Sequence, residues 1–184
     1  MANTKPLISR SRFEACIFDL DGVVTTTARL HAEAWKELFD TFLHKNAPTG
    51  EYTPFDIRDD YLNYVDGKPR YQGVKSFLDS RGIELPYGNI DDAPGMQTVC
   101  GLGNRKNEIF VQRIQEQGVD VYDTSVDLLC MLRSRGFKTA VVSSSKNCLT
   151  VLDAANIGQL FDVRVDGIDI EHLDLKGKPE PDAF

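Results

Sequence analysis

Phe13-Glu14-Ala15-Cys16-Ile17-Phe18-Asp19-Leu20-Asp21-Gly22 is the stretch on which the reading of the fold turns. It starts as an apolar run rich in strand formers and breaks off in two carboxylates and a glycine. That pattern predicts a buried strand, Phe13 to Leu20, running out into a loop. Downstream the period changes. Leu30, Ala34, Leu38 and Phe42 recur every fourth residue, which predicts a helix from Ala28 with one apolar face and Thr26 or Thr27 as its N-cap.

Working outward, Asn46 to Pro54 carries turn chemistry, with two prolines and a glycine. Shorter helical patterns follow over Ile57 to Val65 and Val74 to Arg81, the second closed by Gly82. Glu84 to Gly103 reads as a long loop, and Lys106 to Gln117 as an amphipathic helix stopped by Gly118. Thr124-Ser125-Val126-Asp127 resembles a capping box opening a helix from Val126 to Arg135, with Gly136 ending it. Phe137 to Ser143 is a second apolar strand, Cys148 to Ala155 a short helix, and Phe161 to Val165 a third, weaker strand. Alternation of this kind predicts an α/β fold with a parallel sheet covered on both faces. The helical block from Ala28 to about Gln117 interrupts it and is expected to be an inserted domain.

The chain has 184 residues, a formal net charge of -7 and 41% hydrophobic residues, which suits one domain or a core with a small insertion and excludes a disordered chain. The acidic balance argues against nucleic-acid binding. No apolar run approaches the roughly 20 residues of a membrane span, and no signal-peptide pattern opens the sequence. Met1 to Arg12 is polar and basic and reads as a tail. Cys16, Cys100, Cys130 and Cys148 are far apart with no His at ligand spacing, so zinc is not expected. Cys16 and Cys130 sit in apolar runs as expected buried thiols, and a reducing cytoplasm is the compartment this suggests. Gly101-Leu102-Gly103 lacks the strand and third glycine of a dinucleotide loop, and Gly177-Lys178 has no upstream glycine loop.

Chemistry gathers at the predicted strand ends, where loops of a parallel sheet open into a crevice. Asp19 and Asp21 leave the first strand together: one carboxylate can attack while the other exchanges protons, and both attract a hard cation such as Mg²⁺. A surface turn is the bland alternative. After the second strand come Ser143-Ser144-Ser145-Lys146-Asn147, whose hydroxyls, amide, cation and helix-start N–H groups suit phosphate oxygens, although a plain helix cap explains them too. Lys178 precedes Pro179-Glu180-Pro181; alone, it would be a solvated charge.

These three groups, in chain order, resemble the haloacid dehalogenase-like phosphotransferases. The first motif is F-D-L-D-G-V-V from Phe18 to Val24, the second Ser143 after A-V-V, and the third Lys178 in G-K-P-E-P-D. Within that superfamily the β-phosphoglucomutase-like branch is most similar. Thr25-Thr26-Thr27 with His31 and Trp35, Asp66-Gly67-Lys68-Pro69-Arg70, Arg105-Lys106-Asn107 and Ser143 to Asn147 match its local strings. The resemblance implies a Rossmann-like parallel-sheet core of residues 1–24 and 119–184, with a helical cap of residues 25–118 inserted. It implies Asp19 as nucleophile, Asp21 as general acid/base, and both as Mg²⁺ ligands. Ser143 and Lys178 would hold the transferring phosphoryl group, with Ser145 and Asn147 on a phosphate or on sugar hydroxyls. Arg70 would clamp a distal phosphate bidentately, and Lys106, His31 and Thr27 would lie near the substrate. Without the resemblance His31 would pass as a half-buried histidine, Trp35 as packing and Lys106 as a solvated helix charge.

The expected partner is a small-molecule sugar phosphate, with no nucleic acid and no membrane. The sequence does not fix an oligomeric state; a monomer is expected of a full-length chain. The family's fourth motif, a further acidic pair for the metal, is expected beyond Phe184, so the sequence reads as C-terminally truncated, with Cys16-Ile17-Phe18 on an exposed edge. Three functions follow: a hexose-phosphate mutase, a sugar-phosphate phosphatase using the same nucleophile, or a non-catalytic interaction module. Dehalogenation is disfavoured because Asp21 supplies an acid/base which that chemistry does not need.

Overall fold

The computed structural model describes residues 8–47 and 50–184. Residues 1–7 of the expected tail and residues 48 and 49 of the expected turn lie outside the described residues. Three strands, β1 (Ala15–Asp19), β2 (Lys138–Val142) and β3 (Val163–Val165), pair in parallel in the order β1-β2-β3. Asp19 lies opposite Val142, and Val142 opposite Val165, so the ends of all three strands face the same side. This is the α/β arrangement that the alternating pattern predicts.

Asp162 sets the start of β3. Its carboxylate accepts from the Thr139 N–H (2.9 Å) and from Arg133 (3.2 Å), while its own N–H donates to the Thr139 carbonyl (2.8 Å). Thr139 is buried, so its backbone and hydroxyl need such partners. Helix α4 (Asp123–Ser134) carries Arg133 to this junction. It turns Leu129 and Leu132 inward and leaves Leu128, Cys130 and Met131 outside. Cys130, expected buried, is therefore exposed, and Cys16 is half-buried; Cys100 and Cys148 are the buried thiols. The expected capping box is also absent. Thr124 lies within α4, whose N-cap position is Tyr122 without a side-chain bond, and Ser125 donates instead to the Val23 carbonyl, 2.7 Å away.

Between β1 and α4 stand α1 (Thr27–Asn46), α2 (Arg70–Ser80) and α3 (Val99–Gln117), with α3 packed against both others. The residues expected on the apolar face of α1, Leu30, Ala34, Leu38 and Phe42, are all buried. Thr26 holds the N-cap position but makes no cap bond; its hydroxyl reaches the Asp120 carbonyl instead. Phe39, Phe55 and Phe77 form an aromatic cluster, with Phe39 and Phe77 centroids 4.0 Å apart. Truncating one such ring to alanine typically costs about 3–5 kcal/mol. The expected helix at 57–65 is a π-helical turn over Tyr61–Val65, and α2 starts four residues before Val74.

The long loop predicted to Gly103 ends earlier. Thr98 caps α3 by accepting from the Gly101 N–H at 2.9 Å. Glycine suits both helical positions because neighbours come close: a Cβ at Gly103 would sit 2.6 Å from the Tyr71 ring, and one at Gly101 would sit 2.7 Å from Met96. Beyond β2 lie α5 (Cys148–Ala154) and α6 (Gly167–His172). The last was not anticipated, although Asp166 and Asp169 form a true capping box at its start. Among the described residues β1 pairs on one side only, and Ile17 is 49% exposed.

Candidate active site

Asp19 and Asp21 sit at the C-terminal end of β1, beside the end of β2. Gly22, with φ of +80°, turns the chain there, and the Val24 and Thr25 N–H groups both donate to the Leu20 carbonyl at 3.0 Å. This tight turn delivers Thr27 to Asp21. The Thr27 hydroxyl donates to Asp21 Oδ1 (2.5 Å), and Ser143 donates to Oδ2 (3.1 Å). Burial by itself would raise the Asp21 pKa. The adjacent His31 and the Thr27 and Ser143 donors outweigh it and hold the carboxyl below the usual carboxylate range.

His31 reaches the same carboxylate from α1. Its Nε2 lies 3.5 Å from Asp21 Oδ1, close but short of a formed hydrogen bond. The ring stacks on Phe110 with centroids 3.9 Å apart. Its Nδ1 meets Lys106 Nζ at 2.6 Å. One of these two nitrogens donates and the other accepts; with Lys106 as donor, a neutral imidazole carries its proton on Nε2, facing Asp21. Lys106 is only 4% exposed and lies 4.6 Å from the Phe110 centroid and 5.0 Å from that of Trp35. Burial holds its pKa well below normal, with the Arg70 charge adding to the effect. The solvated helix charge of the bland reading is in fact a core lysine.

Lys178 arrives from the other side. Its Nζ lies 2.7 Å from Asp19 Oδ1 and 3.2 Å from the Val142 carbonyl, while the Leu20 N–H also donates to Oδ1. A second polar cluster lies around Arg70. Asn107 Oδ1 accepts from both Arg70 Nη2 (2.8 Å) and Asn147 Nδ2 (2.7 Å). Lys146 pairs with Glu171 at 2.6 Å, and Ser144 Oγ donates to the Gly67 carbonyl, tying the loop after β2 to the Gly67 segment. Ser145 Oγ accepts from the Asn147 N–H.

A cavity of about 450 Å³ joins the two clusters. Asp19, Asp21, His31, Arg70, Lys106, Ser145, Asn147 and Lys178 all line it. Thr27 and Ser143, expected against substrate and phosphate, stand beside the cavity rather than in its lining, each donating its hydroxyl to Asp21. Sequence reasoning gave no role to Asn107, Tyr61, Asp66 or Glu171. Asn107 and Asp66 stood inside quoted strings, whereas Tyr61 and Glu171 carry no local signal.

Among the described residues no group of three His, Cys, Asp or Glu side chains could hold a metal, and no helix is long and apolar enough to cross a membrane. Residues 13–184 match the model of the haloacid dehalogenase-like hydrolases. A β-phosphoglucomutase of Mycobacterium bovis is 46% identical over 175 residues, covering 94% of this chain and 67% of that protein. Among solved structures, the β-phosphoglucomutase of Clostridium difficile gives a TM-score of 0.71 at 26% identity, covering 94% of this chain and 68% of that one. A variant of CbbY from Rhodobacter sphaeroides in complex with xylulose-(1,5)bisphosphate shares the fold, with a TM-score of 0.60 at 19% identity over 89% of this chain and 73% of that one. Sequence motifs, parallel core with its helical insertion and family match agree: the chain is an enzyme-family protein that belongs to the haloacid dehalogenase-like hydrolases.

Proposed function

We propose that the chain carries out phosphoryl transfer on a hexose phosphate through an aspartyl phosphate on Asp19, as a β-phosphoglucomutase converting β-glucose 1-phosphate to glucose 6-phosphate. We assign residues 1–24 and 119–184 to the core and 25–118 to the cap. The observation that carries this reading is a cavity that joins two clusters, each with a cationic group. Lys178 stands against Asp19 in one cluster, and Arg70 with Asn147 in the other, an arrangement that suits a sugar phosphorylated at both ends. The 46% identity to a β-phosphoglucomutase supports the same assignment.

An Asp19 oxygen attacks phosphorus in line with the sugar oxygen, the phosphorus–sugar oxygen bond breaks, and Lys178 neutralises charge on the transferring group. Asp21 moves the protons. Its lowered pKa keeps the resting side chain ionised, so it is free to accept the proton of a sugar hydroxyl as that oxygen attacks the aspartyl phosphate. The proton then returns to the oxygen that leaves in the opposite half-reaction, so the cycle is balanced without an outside acid. His31, buttressed by Lys106, orients Asp21.

The donor set suits Mg²⁺, which is commonly held by one or two carboxylates with waters and substrate phosphate completing the shell. The Asp19 side chain and the Asp21 carbonyl would hold it, and when bound it neutralises charge on the phosphate oxygens. We place the protein in the cytoplasm on the cysteine pattern.

The test is conversion of β-glucose 1-phosphate, with its 1,6-bisphosphate and Mg²⁺, followed by ³¹P NMR. Glucose 6-phosphate should accumulate, and Asp19→Asn should abolish it. A second reading, a sugar-phosphate phosphatase, is favoured by the Asp19 side chain being 40% exposed, open to water as acceptor. Release of inorganic phosphate without isomerisation would replace the mutase with it.

A further inference from the structure

The turn at Tyr61–Val65 is π-helical, and the Asp66 N–H donates to the Tyr61 carbonyl at 2.9 Å. A bond between residues five apart brings 66 over 61, where an α-turn would bring 65. Turns of this kind cost local regularity and recur at functional sites. Here it aims two side chains into one place: Tyr61 and Asp66 both line the cavity, and neither takes part in the proton or phosphoryl chemistry described above.

The pair combines a donor with an acceptor. Burial first, then the charges of Asp66 and Asp21, a hydrogen bond to the Asp66 carboxylate and the charge of Asp19 push the Tyr61 phenol up, so it stays a neutral O–H donor that a ligand hydroxyl can take over from Asp66. Asp66 makes no ion pair among the described residues. The cations near it in the chain or cavity are engaged elsewhere: Lys68 with Ser76 (2.8 Å), Arg70 with Asn107 and Lys146 with Glu171. A carboxylate that meets no cation on this wall repels a phosphate and suits neutral polyhydroxylic matter, whose hydroxyls its remaining lone pairs can accept from.

We propose that Tyr61 and Asp66 read the ring hydroxyls of the sugar that lies between the two phosphate-binding clusters, the phenol donating to one hydroxyl and the carboxylate accepting from a neighbour. The proposal takes its ligand class from the sugar-phosphate reading above but does not depend on turnover.

Isothermal titration separates the two. Glucose 6-phosphate and inorganic phosphate, a probe without hydroxyls, are titrated into the wild-type chain and into Tyr61→Phe and Asp66→Asn. A site built around a substrate hydroxyl loses affinity steeply when that bond goes. Each variant should bind glucose 6-phosphate about 10-fold more weakly or worse and inorganic phosphate within about 2-fold of wild type. Unchanged phosphate binding also shows that the variant is folded. In addition, at least one monodeoxy glucose 6-phosphate should lose about 10-fold on the wild type and under about 3-fold on a variant. Equal weakening of both ligands, no weakening, or no binding of glucose 6-phosphate by the wild type overturns the proposal. Discriminating binding without any turnover leaves the pair standing and overturns the mutase and phosphatase readings.

Discussion

Lys178 Nζ and the Asp19 carboxylate stand 2.7 Å apart although 159 residues of chain separate them. Their side chains are 18% and 40% exposed, so solvent screens the pair and its share of stability is below about 1 kcal/mol. Its value is to the transferring group. Lys178→Ala should lower kcat/KM by about 100- to 1000-fold while the urea midpoint barely moves. A variant that unfolds as fast as it loses activity would make this lysine structural.

Lys106 presents the opposite balance. It is buried against two aromatic rings and meets no carboxylate directly. Replacing a buried charge by an apolar side chain of similar volume is often neutral or stabilising. Lys106→Met should therefore match or exceed the wild type in stability, by up to about 2 kcal/mol in urea unfolding. The same variant frees His31 Nδ1 from its donor and should lower kcat by about 10-fold or more.

Gly103→Ala should cost about 1–3 kcal/mol, because the new Cβ falls 2.6 Å from the Tyr71 ring and must push α2 and α3 apart. Chemical denaturation reads the cost. Gly95→Ala is no control, since its φ of +87° strains any side chain.

Asp162 sets an acid limit on stability. The Thr139 N–H first, and then the Lys138 and Arg133 charges, hold its carboxyl below the ordinary range despite burial acting the other way. A carboxyl with a depressed folded pKa adds stability above the unfolded value near 4 that is lost as pH falls through the folded one. Asp162→Asn should thus be less stable than wild type at pH 7, and the gap should close between pH 4 and pH 2. A gap independent of pH would exclude this role.

The thiols should react unequally. Burial, with Asp166 and Asp21 adding to it, pushes Cys148 up to about 12, so at pH 8 it is almost entirely the unreactive thiol. Cys130 is exposed. Alkylation at pH 8 followed by mass spectrometry should label Cys130 in the native protein and Cys148 only after denaturation.

Much of the fold could be read directly because periodicity and the chain breaks coincide. The F-D-L-D-G run, the fourfold spacing of α1 and the strand ahead of Ser143 each have a local cause. Misreadings arose where tertiary contacts decided. Gly101 and Gly103 look like loop residues in one dimension, but they lie in a helix capped by Thr98, and the closeness of Met96 and Tyr71 leaves no room for a side chain at either. Thr124 looks like a cap, but Tyr122 takes the position while Ser125 serves Val23. Within the site, the polar and charged residues were identifiable by type, and the cavity gathers eight of them. What Thr27 and Ser143 bind could not be read, because the carboxylate that captures them is far away in sequence or set by the Gly22 turn. Lys106 gives little hint of burial, since two of its partners, His31 and Trp35, lie on another helix.

The amide oxygen shared by Arg70 and Asn147 makes ligand capture an exchange. An anion that settles between those two donors displaces an acceptor they already have, so the net gain is the difference between a charged acceptor and Asn107, and the donors never have to be stripped of water afresh. The free protein thereby keeps a neutral acceptor between these two donors. Selectivity then follows from charge rather than from hunger for hydrogen bonds: neutral ligands gain almost nothing by evicting Asn107, whereas a dianion does.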